Sequence, residues 1–438
     1  MASLAAAGPA VSGPLPAPLG DTEFVEFDPA QAELGRLLFY DKILSGNRNI
    51  SCATCHHPTL GTSDGLSLGL GEGGVGLGPD RVSETGRDRI KKRVPRNAPA
   101  LWNLGAREVH TVMHDGRISV DNVYENGFNT PAEEWLPSGL NSLLAVQALF
   151  PLTSETEMAG DPEENEIGGA TNDRIDNVWP IVSKRVRTLP EYGQKFVDAF
   201  EHIERADQVT IVEIANALAA FMVQDFTSVD TPFDAYLAGD QDALSAQQHV
   251  GMELFFGKAN CASCHAGSLL SDQKFHALGL PAFGPGRTRR FDPIVRDVGR
   301  LGESDALEDA YRFRTPMLRN VALTGPYGHN GAFPTLMGML RHHVDPDASR
   351  QAWTQQTPVL PDLPWLREVD FVVQNDRLEL ARQARVRDVY LPQLTEAELQ
   401  DIEAFLHALT GAKAALAQSE IPQTVPSGLP VDGREIHD

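Results

Sequence analysis

The sequence predicts a mainly α-helical protein built from two similar halves. Three observations predict it: capped, amphipathic helix patterns recur along the chain, strand signals are few, and one short block occurs twice. The block reads "ELGRLLFYDKILSG" from Glu33 and "HVGMELFFGKAN" from His249. Aligned on Gly35 and Gly251, both copies give Gly-x-x-Leu-Phe-aromatic-x-Lys. At 438 residues the chain is long enough for two or more domains with sizeable cores.

In chain order, Asp28 can cap a first helix with Pro29 at its first position and Leu34, Leu37 and Leu38 on one face. The glycine-rich run Gly61 to Asp80 follows no strand and carries no phosphate-binding fingerprint, so it reads as a flexible surface loop. "TIVEIANALAAFMVQDF", from Thr210, is apolar around much of its circumference, as a buried helix would be. Ser245 can cap the helix of the second block copy, with Val250, Leu254 and Phe255 following. "TEAELQDIEAFLHALTG" has a capping box at Thr395 and Glu398, with Gly411 as a stop. The tail from Ser419 is irregular and is expected to wrap the surface or stay mobile.

Immediately after each block copy stands a Cys-x-x-Cys-His motif, Cys52, Cys55 and His56 in "SCATCHHP" and Cys261, Cys264 and His265 in "NCASCHAG". These are the chain's four cysteines. A thioredoxin-like redox pair would need a βαβ context and gives no reason for the histidine. A four-cysteine zinc site could use both pairs, but such pairs normally lie close in sequence, and these are about half the chain apart. Covalent c-type haem accounts for the whole motif: two thiols form thioethers to the porphyrin vinyls and the adjacent histidine binds iron. The fold class is therefore mainly α with two cytochrome c-like haem domains related by internal duplication, and the cofactors are two covalently bound haem c groups.

The net charge is −23, from 60 acidic and 37 basic residues, which speaks against nucleic acid or an anionic membrane surface as partner. Such a field would steer basic proteins toward the molecule, although plain solubility also accounts for it. No apolar run approaches the roughly 20 residues of a membrane span. Haem c is attached outside the bacterial cytoplasm, so a periplasmic location is expected. The opening "MASLAAAGPAVSGPLPAPLG" lacks a basic n-region and a long apolar h-region; it reads as a flexible terminus, after signal removal or at an engineered start.

Beyond the haem motifs, "RNAPALWNLG", "MHDGR", "QALFPLTSETEMAG" and "FRTPMLRNVALTGPYGHNGAFPTL" stand in an order that resembles the bacterial di-haem cytochrome c peroxidase and MauG family, from about Glu33 to Gly411. The resemblance implies that the first haem is peroxidatic and that Gln147 and Glu157, ten residues apart, line its distal pocket. A carboxylate there can move a proton from the inner to the outer oxygen of peroxide, and an amide can orient the ligand. It also implies a calcium ion between the haems, bound by Asn97 and by the backbone at Thr324 and Pro326.

Three departures from the family pattern bear on function. No histidine lies between Pro58 and Val109, where many of the peroxidases carry one that binds the resting first iron; unless His57 or a more distant side chain intervenes, that haem keeps an open position. His114 stands where the family places a tryptophan between the haems. The distal ligand of the second haem falls at His343, with Met339, His342 and the more distant Met337 as alternatives on "LMGMLRHHVD". His276 in "FHALGLP" is assigned to packing or a haem-propionate contact.

The expected organisation is a flexible segment over 1–20, a peroxidatic haem domain over 21–235, an electron-transfer haem domain over 236–390, and a C-terminal helix and tail over 391–438 packing back on the first domain. The expected function is reduction of hydrogen peroxide with electrons from a small periplasmic redox protein, a cytochrome c or cupredoxin, relayed through the second haem. A MauG-like oxidation of residues in a protein substrate is the rival within the class, and a non-catalytic electron carrier the rival outside it. A homodimer is an admitted assembly state.

Overall fold

A computed structural model describes residues 14–86, 89–289 and 292–433. It is mainly helical, with three small antiparallel sheets as its strand content among the described residues. Two helix crossings organise it. The Pro29–Tyr40 helix crosses the Ile211–Phe226 helix, and the Ala246–Phe256 helix crosses the Glu396–His407 helix.

The first helix starts where Asp28 accepts hydrogen bonds from the amides of Ala30 and Gln31, with Pro29 at its first position. The Ile211–Phe226 helix opens on a Thr210–Glu213 capping box and buries nearly its whole circumference. Their crossing is closed by Phe39, whose ring lies 5.0 Å from Phe221 and 5.7 Å from Phe226. In the second crossing, Ser245 caps the first helix and Thr395 the other. Phe405 sits 5.3 Å from Phe255 and 5.1 Å from Phe233. Phe233 thus already belongs to the second core, which begins before residue 236.

Several expectations are corrected. The run Gly61–Asp80 is not a flexible surface loop: Leu66, Leu68 and Leu70 are fully buried, and Ser67 is tied by its amide to Val359 and by its hydroxyl to Gly331. Leucines at alternating positions send three side chains inward, and the glycines let the backbone pass close to its neighbours. Gly411 does not end the C-terminal helix, which stops at His407; Gly411 instead precedes the short Ala412–Ala415 helix. The Glu396–His407 helix packs on the second core rather than on the first domain. The tail does return to the first core, burying Val425 and Val431. Ser427 donates to Asp41 at 2.6 Å, and Asp432 pairs with Lys42 at 2.7 Å and with the Thr54 hydroxyl. Of the expected flexible segment, residues 1–13 lie outside the described residues. Leu19 is buried, and its amide donates to Asp234 at 3.0 Å.

Candidate functional site

Cys52–Cys55 form one helical turn, and His56 follows at its end. The His56 Nδ1 lies 3.0 Å from the Thr62 carbonyl oxygen. A carbonyl can only accept, so Nδ1 carries the proton and Nε2 keeps its lone pair for a metal. His265 repeats the arrangement, with Nδ1 3.1 Å from the Leu270 carbonyl. Two different loops thus aim an imidazole Nε2 away from the same kind of backbone clamp.

No disulfide joins any of the four cysteines, which leaves each sulfur available for a thioether bond. Burial pushes Cys52, Cys55 and Cys261 up to about 12 and raises Cys264 as well. A four-cysteine zinc site would bring all four sulfurs together, and the two pairs do not converge. Among the described residues, the group of three or more metal-ligating side chains whose ligand atoms lie within 4.8 Å of one another is Cys264, Asp272 and His276. His276 is paired through Nε2 with Asp272 at 3.0 Å and lines the central cavity.

That cavity, of about 310 Å³, runs from Gln147 and Trp102 to Cys261, Cys264 and His265, and its far wall carries His343 and Met339. The Leu336–Val344 helix presents His343 with Nδ1 2.9 Å from the Met339 carbonyl, one turn back, again leaving Nε2 free. Burial lowers the His265 imidazole to about 4, and the neighbouring His343 adds to the effect. Both imidazoles line the cavity, close enough for one to influence the titration of the other. His342 cannot compete: its Nε2 is 3.1 Å from the Leu278 carbonyl and its Nδ1 3.2 Å from Ser349 Oγ. Met339 lines the cavity and Met337 is not among its lining residues.

On the first side, Gln147 lies on the Leu143–Ala148 helix, which Ser142 caps. Glu157 lies on a π-helical turn, Glu155–Ala159, whose amides at Glu157, Met158 and Ala159 all converge on the Ser154 carbonyl. Its charge reaches Cys55, where it helps to raise the thiol. The glycine-rich run seats this turn: Glu72 donates its amide to Thr156 at 3.1 Å, and a Cβ on Gly71, at φ +61°, would overlap the Thr156 carbonyl oxygen. His57 is turned away, with Nδ1 2.7 Å from Thr59 Oγ1 and Nε2 facing Gly433 of the tail.

Between the two sides, His114 is half-buried, and desolvation and the nearby Arg96 lower its pKa to about 4. Its Nε2 donates to the Asn97 carbonyl at 3.1 Å. The Asn97 side-chain amide donates to Leu66 at 2.8 Å, which leaves Oδ1 to act as an acceptor, and Asn97, Thr324 and Pro326 all line the cavity.

Sequence reasoning did not single out three charged side chains. Arg81 is buried, bonded to the carbonyls of Gly71 and Gly74, and reaches Cys55 Sγ at 3.9 Å. Asp64 is buried beside it with Oδ2 unpaired, and burial raises it to about 6. Arg314 lines the cavity with hydrogen bonds to the carbonyls of Met113 and Thr315; burial lowers it to about 10, with no carboxylate to offset that effect. A desolvated guanidinium in a cavity fits a bound anionic group such as a haem propionate. The position of Arg314 in "FRTP" was the available signal.

Paired cysteines each followed by a clamped imidazole, and a cavity with an uncompensated cation, fit haem c, and the fold with these sites defines a di-haem c-type oxidoreductase. Residues 29–242 match the family described as di-haem cytochrome c peroxidase. The chain is 31% identical over 360 residues to the cytochrome-c peroxidase IdrP1 of Denitromonas iodatirespirans, covering 76% of this chain and 78% of that one. It is 27% identical over 395 residues to the methylamine utilization protein MauG of Methylorubrum extorquens, covering 90% and 82%. The diheme peroxidase BthA of Burkholderia thailandensis has the same fold, with a TM-score of 0.59 at 21% identity and 97% of each chain covered. The chain belongs to the di-haem cytochrome c peroxidase family, and it is a peroxidase-type oxidoreductase with haem c cofactors. Among the described residues no helix is long and apolar enough to cross a membrane.

Proposed function

We propose that the chain reduces hydrogen peroxide at the first haem site with electrons that a small periplasmic redox protein delivers at the second. The reading is carried by Glu157, set on a π turn near enough to Cys55 for its charge to act there, with Gln147 on the wall of the connecting cavity. A haem held at this site would supply electrons and a Lewis-acid centre for peroxide. Glu157 takes the proton of one peroxide oxygen and returns it to the other, which leaves as water, while the Gln147 amide orients the substrate.

His56 would hold the first haem with Cys52 and Cys55. His265 and His343 would hold the second, with Cys261 and Cys264. Arg314 would supply a counter-charge to a propionate. Asn97 Oδ1 and the carbonyls of Thr324 and Pro326 provide hard oxygen ligands suited to calcium. The two haem domains are read as a duplication, supported by the equivalent glycine-to-backbone crossings at Gly35 and Gly251.

His57, turned toward the tail, and an imidazole rather than a thioether at the second haem favour a second reading, in which peroxide oxidises residues of a protein substrate as in MauG. Peroxide consumption by the di-haem protein, measured with and without a reduced small redox protein, tests both. Donor-dependent turnover is the expected result. Slow consumption unaffected by the donor supports the MauG-like reading, and no consumption overturns both in favour of an electron carrier.

A further inference from the structure

We propose that Tyr311 is a redox-active tyrosine that gives up an electron from the wall of the haem cavity while its phenolic proton passes to Glu379. The proposal deepens the peroxide reading, because peroxide is the oxidant it draws on.

Tyr311 lines the same cavity as Cys261, Cys264 and His265. Its backbone lies at φ +62°, a left-handed region that a side-chain-bearing residue rarely adopts. The strain is held by its amide, which donates to Val298 at 2.9 Å, and by the Arg312 carbonyl, which accepts from the Arg300 amide at 2.8 Å. The phenol donates to Glu379 Oε1 at 2.6 Å. Glu379 is completely buried on the Arg377–Arg385 helix. Arg296 donates to its Oε2 at 3.1 Å and Gln383 to its Oε1 at 3.1 Å. Arg296 also donates to the Tyr311 oxygen at 3.1 Å.

A neutral phenol in this setting keeps its proton; burial and Glu379 raise it to about 12. Loss of an electron makes a phenol strongly acidic, and a buried cation without an acceptor would be costly. Here the acceptor is already at hydrogen-bond distance, so the proton crosses one short bond and the charge stays within the Arg296–Glu379 pair. The balance is simple. Tyr311 loses one electron and one proton, giving a neutral radical and a protonated Glu379. The electron supplies one of the two that reduce hydrogen peroxide, with two protons, to two waters; the reduced donor protein supplies the other, or a haem iron where no donor is present. Hydrogen bonding to Arg296 alone would require neither the strained backbone nor a place on the cavity wall.

The test is freeze-quench electron paramagnetic resonance on the di-haem protein mixed with hydrogen peroxide in the absence of donor. A tyrosyl signal that narrows on ring deuteration, is lost in Tyr311→Phe and is diminished in Glu379→Gln, with the haem absorption of both variants unchanged, is expected. A signal undiminished in Tyr311→Phe, or no tyrosyl signal in a wild-type protein that consumes peroxide, overturns the proposal. A parallel arm uses photogenerated ruthenium(III) tris-bipyridine as a one-electron oxidant. A Tyr311 signal there, from a protein that consumes no peroxide, would retain the tyrosine and discard the peroxide reading; no signal in either arm discards the tyrosine.

Discussion

The α-carbon of Gly251 rests so closely on the backbone of Asp401 that a Cβ built on it would overlap the Asp401 carbonyl oxygen. Gly35 meets Ala217 in the same way, and one turn further on Phe405 and Phe221 close the two crossings. The obstacle is backbone, which cannot rotate aside, so Gly251→Ala must push two helices apart. Overpacking of this kind costs about 1–3 kcal/mol. Gly251→Ala is expected to lower the melting temperature and broaden the spectrum of the second haem while leaving the first intact, and Gly35→Ala to do the reverse. Thermal unfolding followed at haem-specific wavelengths checks it; unaltered transitions would show that the crossings tolerate a methyl group.

Glu157→Gln should leave both haems attached and suppress peroxide turnover by roughly 10² to 10⁴-fold, the usual contribution of a general acid–base group. The amide preserves the shape of the Glu155–Ala159 turn, whose hydrogen bonds are made by its backbone. Stopped-flow peroxide consumption reads the effect directly, and an unchanged rate removes Glu157 from the chemistry.

The haem motifs were legible because their chemistry is contiguous: two thiols and an imidazole lie within five residues, and the helix caps at Asp28, Ser245 and Thr395 are equally local. The glycine-rich run misled because composition spoke for mobility while the Leu66, Leu68, Leu70 alternation spoke for burial, and alternation was the better guide. Asp64, Arg81 and Arg314 escaped notice because a buried charge declares itself only through what surrounds it in space. Tyr311 and Glu379 are 68 residues apart, a separation at which no local pattern could pair them.

Asp64 gives the fold a pH dependence whose sign follows from its surroundings. Burial raises its carboxyl to about 6, against the opposing pull of the Leu66 amide and Arg81. Between about pH 4 and 6 the native protein therefore holds a proton that the unfolded chain has released. The stability this contributes is full below about pH 4 and is lost as pH rises through 6, on the order of 3 kcal/mol. Asp64→Asn should match the wild type near pH 4.5 and exceed it near pH 7.5. Denaturation at the two values decides it, since parallel shifts in both proteins would mean that Asp64 titrates normally.

The second haem is expected to show a bis-histidine spectrum. Met339 lies one helical turn before His343 and shares the cavity wall, so the sequence alone leaves both in contention. The hydrogen bond from His343 Nδ1 to the Met339 carbonyl favours His343, since it orients the ring and leaves Nε2 without a backbone partner. His342 projects roughly 100° away around the helix and is held at both nitrogens. A second imidazole lowers a haem potential relative to methionine and makes its oxidised states easier to reach, which suits a protein that stores oxidising equivalents. Near-infrared charge-transfer spectra of the oxidised protein distinguish the two ligand sets. His343→Ala should abolish the bis-histidine band and raise the second potential, while Met339→Ala should preserve the band. A methionine-type band that disappears in Met339→Ala and survives in His343→Ala would transfer the ligand role to Met339.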